Sequence, residues 1–143
     1  MSIRIEHRIG VAASAETVWD IIADLERWPE WNDLHIEVTG KIAIGGALNL
    51  TEAVPGETPK AVTVTVPDWT PEQQLVWRHK RGFLSRSVRY FEIDPLSDHG
   101  CILANGEIFD GMLGEEWAGK RRRKFQDAFQ ANNEKIKARA ETT

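Results

Sequence analysis

The sequence predicts an α+β fold in which a curved, seven-stranded antiparallel sheet wraps around one long C-terminal helix. Three observations carry this expectation. The first is order: one alternating segment, one amphipathic helix, six more alternating segments and one long helical segment. The second is spacing, because the middle segments recur about every ten residues with short Gly- and Pro-containing turns, as in an antiparallel meander. The third is a shortage of cover. One long helix cannot bury both faces of seven strands, so the sheet must curl around it and leave its outer face to solvent. A curled sheet closed by a helix is expected to enclose an internal cavity.

Each element has its own signal. Ile3, Ile5, His7 and Ile9 alternate with Arg4, Glu6 and Arg8, the period of a strand. Ser14 is the expected N-cap of the first helix, and Glu16 suits the positive end of its dipole. Val18, Ile21, Ile22 and Leu25 form the apolar stripe, with Trp19 on its flank. Pro29 pushes Trp28 out of the helical region, so 28–32 reads as an aromatic corner. Strands follow near 34–43, 46–54, 60–67, 73–81, 84–94 and 101–110, parted by Gly45-Gly46, Pro55-Gly56, Pro67-Asp68, Gly82 and the turn from Asp94 to Gly100. A loop is expected at 111–114 and one helix from 115 to about 140, with Trp117, Phe125, Ala128, Phe129 and Ile136 on one face.

Composition narrows the function. With 143 residues, 41% hydrophobic and 28% charged, the chain has the balance of one globular domain spanning 1–143. A net charge of -4 disfavours a nucleic-acid partner. No apolar run approaches the roughly 20 residues of a membrane span, so no stable membrane insertion is expected. The first residues include Glu6 and His7, unlike a signal peptide, which suggests a cytoplasmic location. Cys101 is the only cysteine, so neither an internal disulfide nor a cysteine zinc cluster is possible. No glycine-rich phosphate loop, Gly-x-Ser-x-Gly elbow or metal-spaced histidine pair occurs. No metal and no cofactor are expected.

Four stretches together carry a family resemblance: 11–19 (Val-Ala-Ala-Ser-Ala-Glu-Thr-Val-Trp), Trp28-Pro29-Glu30-Trp31-Asn32, Leu75-Val76-Trp77-Arg78 and 90–96 (Tyr-Phe-Glu-Ile-Asp-Pro-Leu). In order and across nearly the whole chain, they resemble the helix-grip superfamily abbreviated SRPBCC. It includes START domains, birch-pollen-allergen-like proteins and bacterial polyketide cyclase/dehydrase-like proteins. The resemblance implies the helix-grip fold and a cavity for hydrophobic, aromatic or lipid-like small molecules. Some members are cofactor-free cyclases, dehydratases or hydrolases, and the motifs do not select among these activities.

Alternation assigns candidate site residues. Leu75, Trp77 and His79 share one strand face, Arg89 lies with Phe91, and Asn105 and Glu107 lie with Phe109. If these faces look inward, His79, Arg89, Asn105 and Glu107 are polar groups on a cavity wall and need partners. An inverted register would put them outside. Numbering around the turn near Asp98 sets Arg89 opposite Glu107 and Phe91 opposite Asn105, so an Arg89–Glu107 ion pair is expected on the inner wall, either structural or anchoring the polar end of a ligand with Trp77 beside the guanidinium. Glu107 and His79 are the candidate catalytic groups, although for His79 the half-exposed strand-end residue beside Lys80, Arg81 and Gly82 is the favoured reading. Trp28 and Trp31 either flank a cavity entrance or close the gap between helix and sheet, and Trp19 and Trp69 read as core support and loop anchor. In the basic run 120–124, Arg121 and Trp117 face inward while Lys120, Arg123 and Lys124 point to solvent. The readings that follow are a small-molecule binding protein, a cofactor-free enzyme, or a protein–protein module docking through its C-terminal helix.

Overall fold

A computed structural model of the chain describes residues 2–142. Its strands are β1 (Ser2–Val11), β2 (His35–Gly40), β3 (Ala47–Glu52), β4 (Lys60–Thr70), β5 (Gln74–Gly82), β6 (Ser85–Ser97) and β7 (Gly100–Asp110). The helices are α1 (Ala15–Ala23), α2 (Met112–Gly119) and α3 (Arg122–Glu141). The seven strands form one antiparallel sheet in the order β1-β7-β6-β5-β4-β3-β2. This is the helix-grip arrangement. No helix of the described residues is long and apolar enough to cross a membrane.

Ser14 caps α1, its hydroxyl accepting from the Thr17 amide at 3.2 Å. The aromatic corner is a 3-10 helix over Leu25–Glu30 that carries Pro29 inside it. The Trp28 carbonyl there accepts from the amides of both Trp31 and Asn32, at 3.1 and 2.7 Å. Pro67 does not end β4. The strand bulges between Thr65 and Asp68 and continues to Thr70, because a proline lacking an N–H is tolerated where the ladder is already broken. Trp69 is therefore a strand residue, stacked on Trp19 with ring centroids 6.3 Å apart. The β6–β7 hairpin also runs further than the Pro95 signal suggests, turning only between Ser97 and Gly100.

The segment expected as a loop at 111–114 is the start of α2, capped by Gly111 at a φ of 84°. The C-terminal helix is also broken, at Lys120–Arg121. Arg121 turns back so that Nη1 donates to the Trp117 carbonyl (3.1 Å) while Nε donates to Glu57 (2.8 and 3.1 Å). Gly119, a weak helix former, precedes the break. Lys124 does not simply face solvent either; its Nζ reaches Glu57 at 3.2 Å.

α3 covers the free edge of β1. Gln126, Asn133 and Lys137 donate to the carbonyls of Glu6, His7 and Gly10, blunting an edge that could otherwise pair with another chain. Its inner face presents Phe125, Phe129 and Ile136 to the sheet. The middle of the grip is packed solid with aromatic rings. Trp28 lies 5.6 Å from Trp31 and 5.8 Å from Trp77, and Trp31 and Trp77 lie 6.0 and 6.1 Å from Phe91. Trp28 and Trp31 are fully buried and fill the gap between helix and sheet, with Trp31 also at the base of a surface cleft beside Thr17 and Ile21. Open space lies instead at the end of the grip where α2 meets the β5–β6 hairpin.

Candidate functional site

The inner faces follow directly from strand periodicity. β5 turns Leu75, Trp77 and His79 inward, and Arg81 continues the same parity. On β6 the set is Ser87, Arg89, Phe91 and Ile93, and on β7 it is Leu103, Asn105, Glu107 and Phe109, all buried. β3 adds Leu48, Leu50 and Glu52. The register puts Arg89 across from Glu107 and Phe91 across from Asn105, as the turn arithmetic expects.

The expected Arg89–Glu107 ion pair does not form. The cation bound to Glu107 is Arg81, whose Nη2 lies 2.6 Å from Glu107 Oε2. Arg81 also donates through both Nη atoms to Glu52, each at 2.8 Å, and through Nε to Ser87 Oγ at 3.1 Å. Ser87 in turn donates to Glu107 Oε2 at 2.5 Å. The Trp117 ring lies 4.6 Å from the guanidinium and the Phe109 ring 5.3 Å from it. Burial alone would lower the pKa of Arg81, but the Glu107 and Glu52 carboxylates reverse this and raise it. Burial likewise works to raise the pKa of Glu52, and Arg81 overrides it, holding the carboxyl below its ordinary range.

Arg89 is only 1% exposed and solves its burial differently. Nη1 donates to the carbonyls of Tyr90 (2.8 Å) and Gly106 (3.0 Å). The guanidinium lies 4.5 Å from the Phe129 ring, 4.7 Å from Phe91 and 5.3 Å from Trp77. Nε and Nη2 make no hydrogen bond with any described residue. Desolvation lowers its pKa to about 10, with Glu107 opposing, so it stays charged at neutral pH. Behind it His35 packs 5.4 Å from Trp77, and burial followed by the Arg89 charge lowers its pKa to about 3.

A pocket of about 310 Å³ opens above Arg81. Val54, Val62, Phe83, Leu113 and Trp117 give it apolar walls, and Glu52, His79 and Arg81 give it a polar floor. Glu57 and Lys60 stand at its rim. α2 is held over this opening because the Leu84 carbonyl accepts from the amides of Leu113 and Gly114, both at 3.1 Å. His79 is 7% exposed, and burial, then the Arg81 charge, lower its pKa, which keeps it neutral at pH 7. Glu52 and Glu107 pull the other way.

Of the residues singled out from sequence, His79 and Trp117 line this pocket. Arg121 stands beside it, 4.4 Å over Trp117 and bonded to Glu57. Glu107 and Phe109 form the layer beneath, around Arg81. Trp28, Trp31, Trp77, Arg89 and Phe91 lie in the closed aromatic core, and Asn105, also fully buried, donates to the Phe129 carbonyl at 3.4 Å. Arg81, Glu52 and His35 were not among them. Arg81 and Glu52 lay one alternation step beyond Trp77–His79 and Leu48–Leu50, so their signal was present. His35 was not readable, because β2 shifts register between His35 and Glu37.

Glu52, His79 and Glu107 each bring one atom of ligand type within 4.8 Å of the others. Arg81 already supplies the positive charge between the two carboxylates, and Arg89 lies close behind. A divalent ion would have to displace a guanidinium bonded to both carboxylates and to Ser87. The cluster is built as an ion-pair network.

Fold and site together define a helix-grip protein with a polar-floored pocket at the open end of the grip. The chain belongs to the family described as polyketide cyclase / dehydrase and lipid transport, which matches residues 2–141. Similar solved structures include the Zhui aromatase/cyclase of Streptomyces sp. R1128, with 17% identity, 97% of this chain and 96% of that chain covered, and a TM-score of 0.75. A norcoclaurine synthase point mutant of Thalictrum flavum has 15% identity, coverage of 96% and 93%, and a TM-score of 0.71. A START superfamily protein of Mycobacterium smegmatis has 21% identity, coverage of 93% and 98%, and a TM-score of 0.65. At these identities the likeness is one of fold. No curated protein matches the sequence.

Proposed function

We propose that the protein binds a small hydrophobic molecule, aromatic and bearing one polar group, in the pocket between α2 and the β5–β6 hairpin. The observation that carries this reading is the pairing of apolar walls at Val54, Phe83, Leu113 and Trp117 with a charged floor at Glu52 and Arg81. A mostly apolar concavity with a few converging polar groups is the usual form of a ligand site, and about 310 Å³ is at the small end of the range. The family and its aromatase/cyclase and norcoclaurine synthase neighbours support a ligand of this class. A soluble location such as the cytoplasm fits the reading. Titration with 2-naphthol, followed by NMR, tests it. The Trp117 indole and the Val54 and Val62 methyls should shift together and saturably, and Leu113→Trp, which fills the mouth, should abolish the response. Shifts scattered over the surface, or none with 2-naphthol or a panel of similar ring compounds, would overturn it.

A further inference from the structure

Resting on that pocket, we propose that His79 is a catalytic base in it, removing a proton from a carbon or phenolic acid of an aromatic substrate. The geometry leaves few other groups for the task. Both oxygens of Glu52 are held by Arg81. Glu107 has one oxygen shared by Arg81 and Ser87, and the other is buried away from the pocket. His79 alone on the floor makes no hydrogen bond with a described residue, and its ring lines the open space.

The surroundings pull both ways on the proton once it arrives. A ring nitrogen of His79 and an oxygen from each of Glu52 and Glu107 lie within 4.8 Å of one another. Glu52 and Glu107 attract an imidazolium there and partly offset the burial of the ring and the Arg81 charge that oppose it. Glu52 on β3, Arg81 on β5, Glu107 on β7 and the neutral His35 on β2 are the groups facing it, with Glu57 and Lys60 at the rim. In the proposed step the C–H or O–H bond breaks and its proton passes to His79. The electron pair stays on the substrate as an enolate or phenolate, spread over the ring. Lys60, which lines the pocket, offers that anion a cation.

The probe is 5-nitrobenzisoxazole, which needs only a base. His79 takes the proton from C3, that bond's electrons complete the nitrile, and the N–O bond breaks to release 2-cyano-4-nitrophenolate. The wild type should convert it about 10²-fold faster than free imidazole at equal concentration. The rate should rise with pH and level off at a midpoint below 6.5, because the His79 pKa is lowered. His79→Gln should lose the rate while the Trp117 indole still shifts on binding. Unchanged turnover in His79→Gln, or a bound probe turned over no faster than by imidazole, would overturn the assignment of His79 and leave the pocket standing. A probe that produces no Trp117 shift would overturn both. Should His79→Gln fail to fold, the wild-type pH profile decides, and a midpoint at or above 6.5 counts against His79.

Discussion

Two buried arginines on neighbouring strands illustrate how differently a charge can be accommodated. Arg81 is bonded to two carboxylates and a hydroxyl, whereas Arg89 relies on two carbonyls and three rings, with Nε and Nη2 unbonded to described residues. Arg81→Met would leave Glu52 and Glu107 buried side by side without their cation, which should cost about 3–5 kcal/mol in urea denaturation. Arg89→Met removes a cation whose desolvation is less completely offset and keeps the packing against Phe91 and Phe129, so it should cost clearly less. Equal losses would show that the two cations carry the same load. The register was enough to put Arg89 opposite Glu107, but it could not say which arginine the carboxylate would choose. That choice depends on side-chain reach across three strands. Arg81 sat in the run Arg78-His79-Lys80-Arg81 beside Gly82, where local sequence reads as a solvated strand end.

At the scale of elements, the strands were legible because alternation is a local signal, and the hairpins fixed their register. The breaks were less so. Arg121 interrupts the C-terminal helix through Glu57, 64 residues away, and no helical period carries that information. Gly111 is decisive for α2. Its φ of 84° lies in glycine's territory, and a Cβ there would sit 2.3 Å from the Leu84 carbonyl oxygen, the same atom that holds the Leu113 and Gly114 amides. Gly111→Ala should therefore destabilise the protein by about 1–3 kcal/mol and speed hydrogen exchange at the Leu113 and Gly114 amides. Unchanged exchange would mean that α2 is held over the pocket by its side chains alone.

Across the whole molecule, buried ionisable groups make the grip acid-sensitive with a defined sign. His35 is neutral when folded, with a pKa of about 3 against roughly 6.5 when unfolded. Between those values the unfolded chain holds the extra proton, so stability falls as pH drops from about 6.5 towards 3, by about 2 kcal/mol already at pH 5. His79 acts in the same direction. Glu52 adds a second loss at lower pH: its lowered pKa gives stability above the ordinary carboxylate range that disappears as pH falls below about 4.5. His35→Phe should flatten the stability profile between pH 6.5 and 5 and leave the steeper fall below 4.5. A wild-type slope in that variant would remove His35 as the cause.

The same packing that buries His35 decides where a ligand can go, because Trp28, Trp31, Trp77 and Phe91 fill the centre and leave space at the α2 end. A crystal structure of the protein soaked with 2-naphthol tests that most directly. The ring is expected between Trp117, Phe83 and Leu113, with its hydroxyl directed to His79 or the Glu52–Arg81 pair. Density for the ring at the Trp19–Trp69 stack, or anywhere outside the pocket with the pocket itself empty, would contradict the account.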